Sequence, residues 1–79
     1  MKVIKADLEL NLEGLLCPLP LIRISQNIGK VPINGILKAI ADDPGSLADL
    51  PAWARTTGNE LIDINREGSV NNFFIRRLK

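Results

Sequence analysis

One residue in the chain carries a strong nucleophile, and it is the only cysteine, Cys17. It lies in the segment Gly14-Leu15-Leu16-Cys17-Pro18-Leu19-Pro20, where a short apolar loop leads directly into a predicted helix. A proline immediately after the cysteine favours a first helical turn, so the thiol is expected at or beside the helix N-cap. Free backbone N–H groups and the helix dipole at that position stabilise a thiolate and lower the pKa of a thiol. The pattern therefore predicts a reactive thiol.

The residues next to Cys17 are predicted to support it. Gly14 is expected to supply a backbone conformation or a close approach that a side chain would block, and Leu15 is expected to anchor the loop in the core. Pro18 at the first helical position and Pro20 shortly after it cost few hydrogen bonds, because the first N–H groups of a helix have no intrahelical partner. The two prolines are therefore expected to hold the sulfur outward.

The alternative is a structural cysteine. Free cysteine often behaves as a small buried hydrophobe, and the neighbouring Leu16 and Leu19 are apolar enough to surround one. Chemical labelling of Cys17 distinguishes the two interpretations, since only an exposed thiol reacts freely.

The elements that position this segment follow from the spacing of apolar residues. Residues 4–12 alternate between apolar and polar side chains, which is typical of a strand with one buried face. A helix is predicted from Pro18 to about Ile28, ended by Gly29 as the C′ residue. The remaining predicted elements are a strand over 36–41, a helix over 46–57 whose first turn is loosened by Pro51, a strand over 61–64 and a strand over 70–78.

This order, β-α-β-α-β-β, predicts an α/β fold: a two-layer α/β sandwich in which two helices cover one face of a four-stranded mixed sheet. A chain of 79 residues is expected to form a single domain over residues 1–79. Asp42 and Asp43 are interpreted as a solvated turn, with Asp43 near a helix cap. The basic side chains of Arg76, Arg77 and Lys79 are interpreted as a solvated chain end.

Composition excludes several classes of function. The chain has no histidine and one cysteine, so it offers no Cys-His dyad and no zinc site, and no metal or other cofactor is expected. A formal net charge of +1 and 4% aromatic residues give no basis for direct nucleic-acid binding. Without a second cysteine there is no internal disulfide, and charges interrupt every apolar run near the start, so a cytoplasmic location without membrane contact is expected.

The motifs resemble the TusA (SirA-like) family of sulfur carriers. The resemblance rests on the Gly-Leu-x-Cys-Pro-x-Pro core of residues 10–20, on Ala41-Asp42-Asp43-Pro44, on Asp49-Leu50-Pro51 and on Phe74-Ile75-Arg76-Arg77. It implies one TusA-like domain in which Cys17 accepts a sulfane sulfur as a persulfide. The donor in that family is typically a cysteine desulfurase or a rhodanese-like protein, and the sulfur passes to a downstream acceptor protein. A lone thiol without a resolving partner makes such a chain a sulfurtransferase component, not a complete catalyst.

Four positions depart from the family pattern. Leu16 and Leu19 replace residues that commonly carry a basic and an acidic charge, and Asn11 and Glu13 replace the usual Asp and Arg. Charges around an interface steer docking and reject wrong partners, so the change concerns the choice of partner. Leu16, Leu19 and Arg23 are the expected partner contacts, and the protein is expected to be a monomer. The pathway stays open among tRNA thiolation, molybdenum-cofactor assembly, sulfur oxidation and selenium handling.

Two other functions stay open from the sequence. The chain could be a small RNA- or protein-binding regulatory module in which Cys17 is incidental. It could also be a thiol redox sensor whose cysteine is capped reversibly. The carrier and the sensor need Cys17, whereas the binding module does not.

Overall fold

Strands and helices follow one another in the predicted order, β-α-β-α-β-β. The computed structural model describes residues 5–16 and 18–79. The strands are β1 (Leu8–Asn11), β2 (Ile36–Ala41), β3 (Glu60–Glu67) and β4 (Val70–Arg76); the helices are α1 (Leu19–Asn27), followed by a 3-10 turn (Ile28–Lys30), and α2 (Ser46–Thr57).

The four strands form one mixed sheet in the order β1-β2-β4-β3. β1 runs parallel to β2, with Leu10 opposite Ala39, whereas β4 runs antiparallel to both of its neighbours. Two parallel strands need a crossover connection, and α1 supplies it between β1 and β2. As a result, the carboxyl ends of β1 and β2 lie side by side at one edge of the sheet.

The hydrophobic core lies on one face of the sheet and is covered by both helices. Ile24 of α1 and Leu50 of α2 are completely buried against alternate residues of the two central strands. The buried cluster consists of Leu12, Ile24, Val31, Leu37, Ala39, Ala41, Leu50, Phe73 and Ile75. The predicted two-layer sandwich, with both helices on one face, is therefore confirmed.

The first strand is shorter than its alternating pattern predicts. The carboxylate of Asp7 accepts a hydrogen bond from the backbone N–H of Ile36 at 2.8 Å, in the place of a backbone carbonyl of the ladder. Regular pairing consequently begins at Leu8, with the predicted alternation of half-buried and exposed side chains. Ile4, where the predicted strand begins, lies outside the described residues.

Both helices differ in detail from the prediction. Gly29 is not a left-handed C′ residue, because α1 ends at Asn27 and the chain tightens into the 3-10 turn, in which the N–H of Val31 donates to the carbonyl of Ile28. In α2, Pro51 lies inside a continuous helix. The burial of Leu50 and Ala54 on either side of it maintains the helix despite the missing proline N–H.

Candidate functional site

The loop between β1 and α1 carries the candidate nucleophile. Cys17 itself lies outside the described residues, so the site is built from its neighbours. Leu12 is buried and its N–H donates to the carbonyl of Ile40 at 2.7 Å, which extends the parallel pairing beyond β1. The chain then turns back at Leu15, whose N–H donates to the carbonyl of Leu12 at 3.2 Å. The half-buried side chain of Leu15 packs against the core. The position of Leu15 agrees with the prediction that this residue anchors the loop in the core.

Gly14 is tied to the end of the neighbouring strand. Its N–H donates to both carboxylate oxygens of Asp42, at 3.0 and 3.2 Å. Its φ is +83°, in the left-handed region that glycine adopts without strain. A Cβ at this position would meet nothing within 4 Å. Of the two reasons predicted for glycine here, the structure therefore supports backbone conformation and not close approach.

The two aspartates after β2 are more than the solvated turn predicted from the sequence. Asp42 binds the loop that precedes Cys17, and Asp43 is 9% exposed, with Oδ1 accepting the N–H of Gly45 at 3.2 Å. The carbonyl of Asp43 also accepts the N–H of Ser46, where α2 begins. No local sequence signal indicates this role of Asp42, because it depends on the parallel pairing of β1 and β2.

The helix after Cys17 begins one residue later than predicted. Pro18 occupies the N-cap, Leu19 is the first helical residue and Pro20, which is fully buried, is the second. Neither proline has an N–H, and the N–H of Leu19 donates to the carbonyl of Leu16 at 2.9 Å. These three positions consequently offer no hydrogen-bond donor to an anion. Fewer N–H groups are therefore available to a thiolate at this helix start than the several donors expected from the sequence.

Apolar side chains are exposed on both sides of Cys17 in the sequence. Leu16 is 69% exposed, Leu19 is 45% exposed and Ile22 is 44% exposed, and we call these three residues the apolar rim. The alternative of a buried cysteine takes Leu16 and Leu19 as its apolar neighbours, and both of these side chains are exposed; chemical labelling of Cys17 tests that alternative. The sequence analysis identified Leu16 and Leu19 as partner contacts but not Ile22.

A cleft of about 380 Å³ lies beneath the loop, between β1 and α1. Its polar wall includes the exposed Arg23 of α1, and its lining residues are Leu10, Asn11, Leu12, Glu13, Leu15, Arg23 and Asn27. Asn11 closes the end of β1, because its Oδ1 accepts the N–H of Glu13 at 3.0 Å. Thus Asn11 and Glu13, two of the departures from the family pattern, shape the start of the loop.

The basic residues near the end of the chain differ in their contacts, and the interpretation as a solvated end is wrong for Arg77. Arg77 Nη1 donates to the carbonyl of Val31 at 2.7 Å and to that of Gly29 at 3.3 Å. Arg76 pairs with Glu60 at 3.1 Å across the hairpin of β3 and β4. Among residues 5–16 and 18–79 there is no cluster of three or more metal-ligating side chains, and no helix long and apolar enough to cross a membrane.

The structure and the sequence of this chain were compared with those of known proteins, and both comparisons found similar proteins. A solved SirA-like protein from Desulfitobacterium hafniense superposes with a TM-score of 0.77, covering 91% of this chain and 99% of its own, at 19% identity. That similarity shows a shared fold. The sequence profile described as Sulfurtransferase TusA matches residues 8–77. The chain belongs to the TusA family.

Individual relatives agree with that assignment. The sulfur carrier protein TusA of Allochromatium vinosum is 41% identical over 71 residues, which cover 90% of this chain and 93% of the relative. The sulfur carrier protein TusA of Pseudomonas syringae pv. syringae is 35% identical over 71 residues, with 90% and 84% coverage. Two other relatives, from Bacillus subtilis and Aquifex aeolicus, are longer, and this chain spans 40% and 39% of their lengths.

Proposed function

We propose that Cys17 is the residue on which this sulfur carrier of the TusA family holds its sulfur, as a persulfide. The observation that carries the proposal is the setting of the loop: Gly14 and Leu15 fix it to the sheet, α1 starts at Leu19, and Leu16 and Pro18, the residues on either side of Cys17, are exposed. On this proposal, the loop presents the sulfur of Cys17 to a partner between two exposed neighbours.

The transfer needs no oxidant and no cofactor. The Cys17 thiolate attacks the outer sulfur of a persulfide on the donor protein, an S–S bond forms at Cys17 Sγ, and the donor cysteine leaves as a thiolate. In the second step, a thiolate of the acceptor attacks the outer sulfur now on Cys17, and Cys17 leaves as a thiolate. The dipole of α1 favours both thiolate states of Cys17, before loading and after release.

The partners follow from this chemistry by class. The donor is a cysteine desulfurase or a rhodanese-like protein, and the acceptor is a downstream protein of a relay such as tRNA thiolation, molybdenum-cofactor assembly or another branch of sulfur metabolism. The single cysteine suits a reducing compartment, and we place the protein in the cytoplasm as a monomer.

Intact-mass spectrometry tests the proposal. The protein and its Cys17→Ser variant are incubated with a cysteine desulfurase and cysteine, and in parallel with polysulfide. We expect the wild type alone to gain the mass of one sulfur atom, reversibly with a reductant. Wild-type protein that stays unmodified by every donor, while iodoacetamide labels it freely, would favour a redox sensor. Failure of iodoacetamide to label it would favour a binding module with an incidental cysteine.

A further inference from the structure

We propose that the apolar rim of Leu16, Leu19 and Ile22 is the surface by which a protein sulfur donor recognises this carrier. The complementary surface on the donor is an apolar hollow around its reactive sulfur, not a patch of opposite charge. This inference rests on the proposed function, because the donor it describes is the one that exchanges sulfur with Cys17.

The rim is a concentration of exposed apolar surface. Among the described residues, six large apolar side chains are more than one-third exposed, and three of them lie within residues 16–22. Isolated exposed apolar residues are normal on a protein surface, but clusters of them mark interaction sites. The cluster brackets Cys17 in the sequence, so it lies where a partner of Cys17 must dock.

The rim is held in a defined shape. Leu19 and Ile22 are three residues apart on α1 and therefore neighbours on its surface, and the carbonyl of Leu16 accepts the N–H of Leu19 at 2.9 Å. Pro20 and Ile24 of the same helix are fully buried beneath it. A preorganised surface loses little conformational entropy when a partner binds, which favours affinity.

Charge is absent from the centre of this surface. Residues 14–22 contain no charged side chain, and the exposed residues that bracket them, Glu13 and Arg23, have opposite charges. The electric fields of these two opposite charges largely cancel at a distance, so neither an acidic nor a basic partner is attracted strongly. Protein interfaces commonly combine an apolar centre with a polar periphery, and this segment has that pattern.

The geometry of the transfer brings a protein donor into contact with the rim. Formation of an S–S bond brings the two sulfur atoms to about 2 Å, so a protein donor must also cover Leu16, which is bonded to Cys17, and Leu19, two residues further on. A small donor such as polysulfide reaches the sulfur without covering either residue. Loading by the two kinds of donor therefore separates docking from chemistry.

The test compares Leu16→Ser, Leu19→Ser and Ile22→Ser with the wild type. Ile33→Ser is the matched control, because Ile33 is 54% exposed but lies outside the rim, between the 3-10 turn and β2. The rate of persulfide formation is measured by intact mass, first with polysulfide and then with a purified cysteine desulfurase plus cysteine or a rhodanese-like protein plus thiosulfate. Circular dichroism confirms that each variant is folded.

We expect polysulfide to load all five proteins at rates within about twofold of one another, because thiol reactivity depends on the local field at the sulfur, which these neutral substitutions leave in place. With the protein donor, kcat/KM should fall about tenfold or more for Leu16→Ser and Leu19→Ser, less for Ile22→Ser, and remain unchanged for Ile33→Ser. Raising NaCl from about 50 to about 300 mM should change the wild-type rate by less than about twofold, since surface charge pairs are what salt screens.

Three outcomes overturn the inference while leaving the persulfide on Cys17 intact. They are rim variants that load from the protein donor at the wild-type rate, a wild-type rate that falls steeply with salt, and loading by polysulfide with no protein donor active. If neither polysulfide nor any protein donor loads the wild type, the proposed function itself fails. The two failures are thus distinguishable.

Discussion

The N–H of Gly14 donates to both carboxylate oxygens of Asp42, although 28 positions separate the two residues in the sequence. The contact ties the loop before Cys17 to the turn that follows β2. It depends on the parallel pairing of β1 and β2, which places the ends of both strands at one edge of the sheet. The loop that precedes Cys17 is therefore held by two segments of the chain.

Replacing Asp42 by alanine should loosen that loop. The loss of a hydrogen bond to a carboxylate at an exposed site should lower the free energy of unfolding by about 1 kcal/mol. Sulfur loading by polysulfide should slow as well, because the loop is no longer held. Asp42→Asn keeps one oxygen acceptor, so its stability and its loading rate should lie between those of the wild type and of Asp42→Ala. Urea unfolding and the loading rate measure the effects, and an alanine variant with wild-type values for both would show that the tie is unimportant.

Gly14 and Gly35 should respond to alanine for different reasons. Gly14→Ala strains a residue at φ +83° in open space and should cost about 1 kcal/mol of stability, with Gly14→Asn costing less. At Gly35, a Cβ would lie 2.7 Å from Val31 Cγ1 and 2.8 Å from the carbonyl oxygen of Pro32, so Gly35→Ala should cost about 2 kcal/mol or more.

The rate of sulfur loading should also distinguish Gly14→Ala from Gly35→Ala. Folded Gly14→Ala should load sulfur more slowly than the wild type, since its loop precedes Cys17. Folded Gly35→Ala should load at the wild-type rate, because its turn lies at the start of β2, away from that loop. Equal rates for the two variants would contradict a positioning role for Gly14.

Adjacent arginines should differ in their contributions to stability. Arg77→Ala removes hydrogen bonds to the carbonyls of Val31 and Gly29 and should lower the free energy of unfolding by about 2 kcal/mol. Arg76→Ala breaks only an exposed ion pair with Glu60 and should cost about 0.5 kcal/mol or less. Arg77→Lys should not restore stability, because one ammonium cannot also replace Arg77 Nε, which donates to the carbonyl of Lys79 at 2.9 Å. Thermal unfolding of the three variants measures this order, and a larger loss at Arg76 would refute it.

The core should depend on Phe73 more than on its neighbour across the hairpin. Phe73 is fully buried and pairs with Ala39 on one side and Ile64 on the other. Phe73→Ala should cost about 3–5 kcal/mol, which approaches the whole stability of a small domain. Ile64 is 37% exposed, and Ile64→Ala should cost about 1 kcal/mol. Urea unfolding of both variants tests the difference, and equal losses would place the core elsewhere.

The sequence predicts most of this fold because its signals are local. Alternation over residues 4–12 and the prolines at 18 and 20 each act on their own segment, and the order of elements follows. The tie between Gly14 and Asp42 and the contacts of Arg77 join residues far apart in the chain. Neither spacing nor residue type reveals such contacts until the pairing of strands is known.

The candidate site was likewise predicted from the sequence only in part. The motif around Cys17 predicts the loop and helix, and Leu16 and Leu19 are exposed as partner contacts would be. Ile22 was missed because apolar residues on a helix are usually assigned to its buried side, and here the buried stripe runs through Pro20 and Ile24. The missing N–H groups of Pro18 and Pro20 follow from the sequence, whereas the start of α1 at Leu19 and the hydrogen bond of its N–H to Leu16 do not.

The position of β4 has a consequence for how the molecule folds. Among the described strands β4 is the last in sequence, yet it lies between β2 and β3 in the sheet. Until residues 70–76 are available, β2 and β3 have no strand to join them, and the helices cover an incomplete surface. Folding of this domain during synthesis must therefore wait for β4 to leave the ribosome, and a chain truncated before β4 would lose the centre of its sheet and not merely an edge.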